Sequence, residues 1–200
     1  KSSGLLSSLQ DNKIKWIKLD VFKKLPNFSI SHWITRLQIE YFSDLKPLKT
    51  FENTSVVSGL TTGDDFRFLR LWWETPSKYF VNIAKGGPYA TYIGNFKLKV
   101  NWRDGGKEIK ATRNSYVRNE DYYFKPGITW SRRTSSEFSA RLLPKNFIFA
   151  DKGPAIFTDK IFRILSLAQS KSFKSLINIQ LAAGDQAARS YEVGIIKNTP

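Results

Sequence analysis

Cysteine and methionine are both absent from the 200 residues, and histidine occurs once, as His32. Without cysteine the chain can form neither disulfides nor a thiolate zinc site, and a single histidine cannot build a histidine metal cluster. We therefore expect no metal site and no disulfide in this chain. Apolar runs of the ~18 residues that a membrane span requires are also missing, as is the basic and apolar start of a secretory signal. These absences predict a cytoplasmic protein, and the lack of an initiator methionine predicts a piece of a longer one.

The motifs of several enzyme classes are missing as well. An enzyme that methylates DNA binds S-adenosylmethionine at a glycine-rich turn between a strand and a helix, and holds the flipped base with a motif such as Asn-Pro-Pro-Tyr. No two prolines are adjacent, and the pairs Gly86-Gly87 and Gly105-Gly106 do not read as strand-to-helix turns. A magnesium-dependent nuclease needs clustered carboxylates, and the spacing of Asp104, Glu108 and Lys110 is too tight for such a site. We therefore expect neither a catalytic nor a cofactor-binding residue in this chain.

What the chain has in excess is positive charge and aromatic side chains. It contains 32 Lys and Arg against 17 Asp and Glu, a formal net charge of +15, and 41% of its residues are hydrophobic. The apolar content is enough for a folded domain, and the charge concentrates polyanions around it. Nucleic acid is the leading partner, although ribosomal, heparin-binding and membrane-surface proteins carry similar charge. Charge alone does not distinguish DNA from RNA.

Two stretches have helical periodicity. In the first, apolar residues recur at steps of one, three and four: Trp33, Ile34, Leu37 and Tyr41. We predict that Ser29 or Ser31 caps this helix and that Pro47 ends it. The second stretch covers residues 159–183, with Thr158-Asp159 predicted at its start.

Short strands separated by turns follow the first helix. The clearest covers residues 96–103, in which apolar and polar residues alternate. Its polar side consists of Lys97, Lys99, Asn101 and Arg103. Weaker patterns predict further strands at residues 79–84, 122–125, 138–143, 147–150 and 192–196. Together these elements predict an α/β (α+β) fold in which a twisted, largely antiparallel sheet has flanking helices.

The polar side of residues 96–103 is a candidate for phosphate contacts. Side chains two residues apart on one face of a strand recur about every 6 to 7 Å, close to the phosphate repeat along one DNA strand. Lys97, Lys99 and Arg103 could therefore lie along a backbone. The alternative is a sheet face that is only solvated.

Two glycine-containing segments combine cations with hydroxyls. Residues 85–88, Lys-Gly-Gly-Pro, place a cation beside a backbone that can approach a phosphate closely. Residues 127–133 offer Thr129, Ser131, Arg132 and Arg133. Arginine is the side chain best shaped to bond a guanine edge. Plain turns, with Trp130 in the core, are the alternative for both segments.

A third segment, residues 59–74, brackets Thr61 and Thr62 between glycines and continues into a run of arginine and aromatic residues. Such a loop could present its hydroxyls and Arg67 to a DNA backbone. A tight connection between core strands would have the same sequence.

Several of these segments occur in the same order in large adenine-specific DNA methyltransferases. The matching segments are residues 59–74, 85–87, Asn101-Trp102 with Gly106 and Ile109-Lys110, 123–131, 138–144, 147–149, Lys152-Gly153 and 188–196. Each is weak alone, but their order over residues 56–200 resembles the recognition region of type IIG restriction-modification enzymes and of the methyltransferase of BREX phage-defence systems. Asp65 departs from this pattern, in which asparagine is expected.

The resemblance implies a division of labour within a longer protein. An upstream part would bind S-adenosylmethionine and methylate the exocyclic amine of adenine. This chain, with the recognition-domain fold of type I specificity subunits, would choose the site on double-stranded DNA. Residues 1–30 would then lead from that upstream methyltransferase domain, 31–157 would form the target-recognition domain, and 158–200 a helical spacer or packing segment with a closing strand. Other defence-system subunits and DNA-mimicking inhibitors are further expected partners.

The residues that we expect to contact DNA fall into two groups. Phosphates would be neutralised by Lys85, Lys97, Lys99, Arg103 and Lys145. Bases or groove edges would meet Thr129, Ser131, Arg132, Arg133 and Arg141. The loop at residues 59–74 would add Thr61, Thr62 and Arg67.

Three alternatives stay open on the sequence alone. A free-standing specificity subunit would differ only in having its methyltransferase on a separate chain. An RNA-binding module would stack bases on exposed aromatics such as Tyr122 or Tyr123. A scaffold for acidic phage or host proteins would use the same basic face.

Overall fold

The computed structural model describes residues 18–26, 34–75, 78–181 and 188–200, which form short strands and helices. The strands are β1 Ser55–Val57, β2 Leu69–Leu71, β3 Phe80–Ala84, β4 Leu98–Asn101, β5 Gly127–Trp130, β6 Arg133–Thr134, β7 Ala140–Leu143, β8 Phe147–Phe149, β9 Ala155–Phe157 and β10 Arg189–Ser190. The α-helices are α1 Arg36–Asp44, α2 Asp65–Phe68, α3 Lys107–Lys110, α4 Ile161–Gln169, α5 Lys171–Gln180 and α6 Val193–Asn198. Short 3₁₀ turns lie between some of them, at Leu19–Lys24, Leu48–Thr50, Trp72–Glu74, Arg103–Gly105 and Glu120–Tyr122.

The first sheet is the central layer of the fold. Its strand order is β1-β9-β5-β7, and every neighbouring pair is antiparallel. Successive residues of a strand point to opposite faces of the sheet. Ile128, Trp130 and Ile156 therefore pack in one cluster with the helices, whereas Ala155 and Phe157 pack in another with the second sheet.

The second sheet has the order β2-β4-β3-β8, in which only β3 and β8 run parallel. It meets the first sheet through aromatic side chains, with the ring centroids of Phe149 and Phe157 5.2 Å apart. The predicted fold class is confirmed, since antiparallel sheets combine with helices in a mixed fold. The described residues build two four-stranded sheets and a two-stranded sheet of β6 and β10, however, where the sequence predicted one sheet.

Helices α4 and α5 cover the face of the first sheet that lies away from the second. Thr158-Asp159, the predicted start, lies just before α4, and the break between the helices falls at Ser170, whose Oγ accepts a hydrogen bond from Phe173 N at 3.1 Å. Buried Ile164 and Phe173 pack in the same cluster as Trp130. The helix pair therefore contributes to the core on this face of the first sheet. No helix in the described ranges is long and apolar enough to cross a membrane.

The first helix starts later than predicted. Thr35 caps α1 in a capping box, and the predicted caps, Ser29 and Ser31, lie outside the described residues together with Trp33. Leu37, predicted on the apolar face, is exposed. The helix ends at Asp44, close to the predicted end at the following proline.

Two predicted strands are wrong. Residues 122–125 begin within a 3₁₀ turn and include Phe124 at φ 64°, a left-handed conformation that interrupts an extended chain. Residues 193–196 fall in α6, with Glu192 as its N-cap, and Val193 and Ile196, three residues apart, pack on the same cluster.

Candidate nucleic-acid interface

Five segments that are distant in the chain meet at one end of the two sheets, which we call the loop end. They are residues 59–65, 84–87, 131–133, 150–153 and 189–192. Asp151 N donates to Leu60 O at 3.0 Å, Arg132 N donates to Lys152 O at 3.0 Å, and a further bond joins residues 84–87 to 150–153. Tyr191 N completes the set by donating to Arg132 O at 2.6 Å. Each of the five overlaps a segment of the resemblance described above.

Lys85, a predicted phosphate contact, is already paired at the loop end. Its Nζ donates to the carboxylate of Asp65, which also accepts a hydrogen bond from Thr62 Oγ1. Burial would raise the pKa of Asp65, but the hydrogen bonds from Lys85 and Thr62 and the charge of Lys152 outweigh it, so the pKa is lowered. Only 10% of the Lys85 side chain is exposed, and Thr62 is buried. The structure therefore places both predicted residues in an ion-pair cluster rather than on open surface.

Arg132 and Arg133 project from the loop end in different environments. Arg132 is half-buried between two carboxylates, with Nε 3.3 Å from Glu192 Oε1 and Nη1 3.5 Å from Asp151 Oδ2. Arg133 is exposed on β6, where its register partner in β10 is Ser190. The side chain of Arg133 is therefore the more open of the two for contact with a base.

Three predicted base-contacting residues are internal. Thr129 Oγ1 donates to Pro154 O at 2.9 Å, and Ser131 Oγ donates to Gly87 O at 2.8 Å. Arg141 is 1% exposed, and its Nη2 donates to Ser131 Oγ at 3.2 Å. The hydrogen bonds of these side chains hold the loop end together from inside. None of the three side chains reaches the surface.

The guanidinium of Arg141 is incompletely satisfied. Its Nε and Nη1 are buried without a hydrogen-bond partner among the described residues. Burial lowers the pKa of Arg141 to about 10, since a charge removed from water loses its hydration. A buried cation of this kind usually has an acceptor for each N–H group, so Arg141 is an anomaly of the fold.

The loop at residues 59–74 is largely a tight connection. Thr61 is half-buried, and its N–H donates to Tyr116 O at 2.9 Å. Arg67 is exposed but pairs with Glu108, and its guanidinium lies over the Phe68 ring, 5.1 Å from the centroid. The alternative of a connection between core strands therefore describes this loop better than an open display of hydroxyls.

A row of cations crosses the second sheet, and we call Arg70, Lys97 and Lys99 the outer row. Arg70 of β2 is the register partner of Lys99 in β4, which is also opposite Asn82 in β3. Lys97 is exposed and Lys99 half-buried, and within the described ranges neither has an acidic partner. Sequence reasoning missed Arg70, because only the pairing of β2 with β4 places it beside Lys99.

Two predicted phosphate contacts lie at the opposite end of the molecule. Arg103 follows β4 and stacks over the Tyr79 ring at 4.9 Å, whereas Lys97 precedes that strand, so the two are separated by roughly 20 Å of extended chain. Lys145 precedes β8, which runs parallel to β3 and therefore starts at the same end as Arg103. The predicted phosphate contacts thus divide between the two ends of the sheets.

Two glycines at which S-adenosylmethionine could be held are covered by other residues. Gly105-Gly106 does lie between a strand and a helix, contrary to expectation, but that helix is the four-residue α3. The space above Gly106 is filled by the ring of Trp102, which a Cβ there would approach to 2.5 Å. Gly86 is covered in the same way by the carbonyl of Lys152. Neither Gly86 nor Gly106 therefore leaves room for a nucleotide, whereas nothing lies within 4 Å of a Cβ placed at Gly105.

Two curated proteins are similar to the chain, although no protein-family model matches it. The adenine-specific methyltransferase BrxX of Escherichia coli O9:H4 (strain HS) is 35% identical over 188 residues, which cover 86% of this chain. The adenine-specific methyltransferase PglX of Lacticaseibacillus casei (strain Zhang) is 24% identical over 231 residues, which cover all of it. The chain is homologous to one part of these methyltransferases. It spans 15% of the length of the first and 18% of the second, and the predicted resemblance to adenine-specific methyltransferases is confirmed at that level.

Proposed function

We propose that this chain recognises a double-stranded DNA site on behalf of an adenine-specific methyltransferase whose catalytic residues lie elsewhere in the full-length protein. The observation that carries the proposal is the loop end. There, five segments that overlap the stretches resembling such enzymes are joined by backbone hydrogen bonds. Homology to part of two adenine-specific methyltransferases and the net charge of +15 support it. The full-length protein would use S-adenosylmethionine and would serve in phage defence.

Within this function the side chains divide into three roles. The outer row neutralises phosphates, because Lys97 is exposed, Lys99 is half-buried, and neither has an acidic partner in the described ranges. Arg133, with Arg132 beside it, reads a base edge. The buried residues Thr129 and Arg141 position the loop end. Arg103 and Lys145 at the far end would meet the same duplex roughly 20 Å, or about six base pairs, further along.

An exchange of recognition regions tests the proposal. In the full-length methyltransferase, this region is replaced by the homologous region of the BrxX relative, and the methylated sites are mapped by sequencing. The methylated sequence should follow the exchanged region while the reaction stays adenine methylation. A chimera that methylates the original sites would refute the proposal.

A point substitution tests the same function without exchanging the fold. Arg133→Ala should relax the choice of base at one position of the site, with a loss of discrimination of about 1 to 3 kcal/mol. The readout is the methylation rate on the cognate duplex and on duplexes with single base changes. Equal losses on all duplexes would show that Arg133 does not read sequence.

The two aromatics named for the RNA-binding alternative are not exposed stacking surfaces. Tyr123 is buried, and Tyr122 is half-buried with its ring 4.7 Å from that of Phe157. The Tyr122 hydroxyl also hydrogen-bonds Ser55 Oγ at 2.9 Å. Competition between duplex DNA and single-stranded RNA for the full-length protein decides between the two, and duplex DNA should win.

A further inference from the structure

The connection between β3 and β4 has an unusual charge distribution. It begins with Lys85 and ends with Lys97, and none of the residues 86–96 between them is charged. Because β3 and β4 are antiparallel neighbours, both lysines lie at the same end of the second sheet, beside the loop end. We call residues 88–95, the middle of this connection, the strap, and its residues Tyr92 and Ile93 the tip of the strap.

Apolar side chains at the tip of the strap face solvent. Tyr92 is 58% exposed and Ile93 66% exposed, and Tyr89 is also exposed. Exposed apolar groups that stand together on a polar surface mark contact sites more often than isolated ones do. The strap is therefore an apolar projection on a strongly basic protein.

The strap is held in place rather than loosely attached. Tyr92 N donates to Ala140 O at 3.1 Å and Tyr92 O accepts from Leu142 N at 2.8 Å, so the strap lies along the free edge of β7. Asn95 Nδ2 donates to Pro88 O at 2.8 Å and closes the base of the strap. Tyr92 has φ 65°, a left-handed conformation that is unfavourable for a bulky residue. The fold thus maintains a strained residue at the exposed tip.

We propose that the strap is a DNA-inserting element that places Tyr92 and Ile93 against the bases in a groove of the duplex. This inference rests on the proposed function. An uncharged apolar tip next to a phosphate-binding lysine matches a duplex, whose charge is outside and whose apolar bases are inside. Lys97 would hold the backbone beside the inserted tip, because Lys85 is already neutralised by Asp65. The backbone hydrogen bonds of Tyr92 to β7 hold the inserted residues in place.

The test uses two strap variants of the full-length methyltransferase. Ile93→Ala shortens the tip, and Tyr92→Asn removes the ring while keeping a residue that tolerates positive φ. Leu37→Ala is the matched control, because Leu37 is a similarly exposed aliphatic residue, 55% exposed, on α1. Fluorescence anisotropy gives the Kd for duplex DNA at several salt concentrations, and thermal melting reports stability.

Each strap variant should weaken duplex binding by roughly 5-fold to 150-fold, the range for losing one base-contacting ring or wedge. The salt dependence of the Kd should stay unchanged, because no charge is removed. The melting temperature should stay unchanged in Ile93→Ala, since the side chain is exposed, and should stay equal or rise slightly in Tyr92→Asn, because asparagine adopts the positive φ with less strain. Leu37→Ala should bind as the parent protein does.

Three results would overturn parts of this picture. Strap variants that bind normally, while Lys97→Ala weakens binding, would refute insertion and leave the proposed function intact. A lowered melting temperature of the full-length protein, with normal DNA binding, would mean that the tip packs against another protein domain. Normal duplex binding by the strap variants and by Lys97→Ala together would refute the proposed function itself.

Discussion

Arg141 illustrates how a single side chain can be correctly selected and wrongly interpreted. Its residue type suggested contact with a guanine, yet the register of β5 and β7 puts it opposite Thr129 on a covered face. Alternation along a strand assigns a side chain to a face of the sheet, but it does not say whether another layer covers that face. The second sheet packs on this face, and residues 88–95 lie along the edge of β7 beside Arg141.

Replacing Arg141 by methionine should leave the free energy of unfolding unchanged or raise it by up to about 2 kcal/mol, because a poorly satisfied buried charge is replaced by an apolar side chain of similar length. The lowered pKa of Arg141 means that the unfolded chain holds this proton more tightly than the folded chain. The stability of the parent protein relative to the variant should therefore rise as pH increases through about 10. Urea denaturation at several pH values checks both, and a loss of about 3 kcal/mol or more would reveal partners for the guanidinium.

Asp65 is the residue at which the sequence departs from the resembling pattern, and its carboxylate neutralises Lys85. Asp65→Asn should release Lys85 for a phosphate, so duplex binding should tighten and its salt slope should steepen by about 0.9. The control is Asp64→Asn, which removes a neighbouring charge but keeps a helix-capping side chain. Salt titrations of both variants make the comparison, and equal slopes would contradict the assignment.

The same pair has a defined pH dependence. Because the pKa of Asp65 is lowered in the folded chain, the stability contributed by its ionised form is complete above the ordinary aspartate pKa of about 3.9. It is lost as pH falls through the lowered value. As pH falls through the lowered pKa, the free energy of unfolding of the parent protein should therefore decrease more than that of Asp65→Asn, and acid unfolding of the two proteins measures the difference.

At the scale of secondary structure, patterns with a clear period were predictable and unpatterned ones were not. β4 was recognised because polar and apolar residues alternate along it, with Val100 buried. β5 was not recognised as a strand, because all four of its residues are buried between two layers and no alternation remains. Residues 192–196 were predicted as a strand, because a short run rich in apolar residues is compatible with either a strand or a helix. Packing on the core cluster selected the helix α6.

The outer row gives a prediction that belongs to the sheet as an element. Lys97→Ala and Lys99→Ala should each weaken binding to cognate and scrambled duplexes equally and should reduce the salt slope by about 1. Lys171→Ala is the control, since Lys171 is an exposed lysine on α5. Electrophoretic shifts at several salt concentrations provide the slopes. A loss restricted to the cognate duplex would move these lysines from the phosphate-binding to the base-reading group.

At the scale of the whole molecule, Trp130 joins the central sheet to the closing segment. Its side chain is fully buried, and its Nε1 donates to Tyr191 O at 2.8 Å. Trp130→Ala should lower the free energy of unfolding by about 3 to 5 kcal/mol through the cavity that it leaves. Trp73→Ala, at an exposed tryptophan, should change it by less than about 1 kcal/mol. Chemical denaturation measures both, and similar losses would contradict the layered core.

The sequence alone determined the strongly positive charge and the capacity to fold, because net charge and apolar content are sums over residues that do not depend on pairing. It also carried the resemblance to adenine-specific methyltransferases. Only the tertiary structure decided which segments meet at the loop end, that Lys85 is neutralised, and that the predicted phosphate contacts divide between two ends. Those features depend on strand register and on the packing of one layer against another. Both are contacts between residues far apart in the chain, and such contacts leave no local pattern in the sequence.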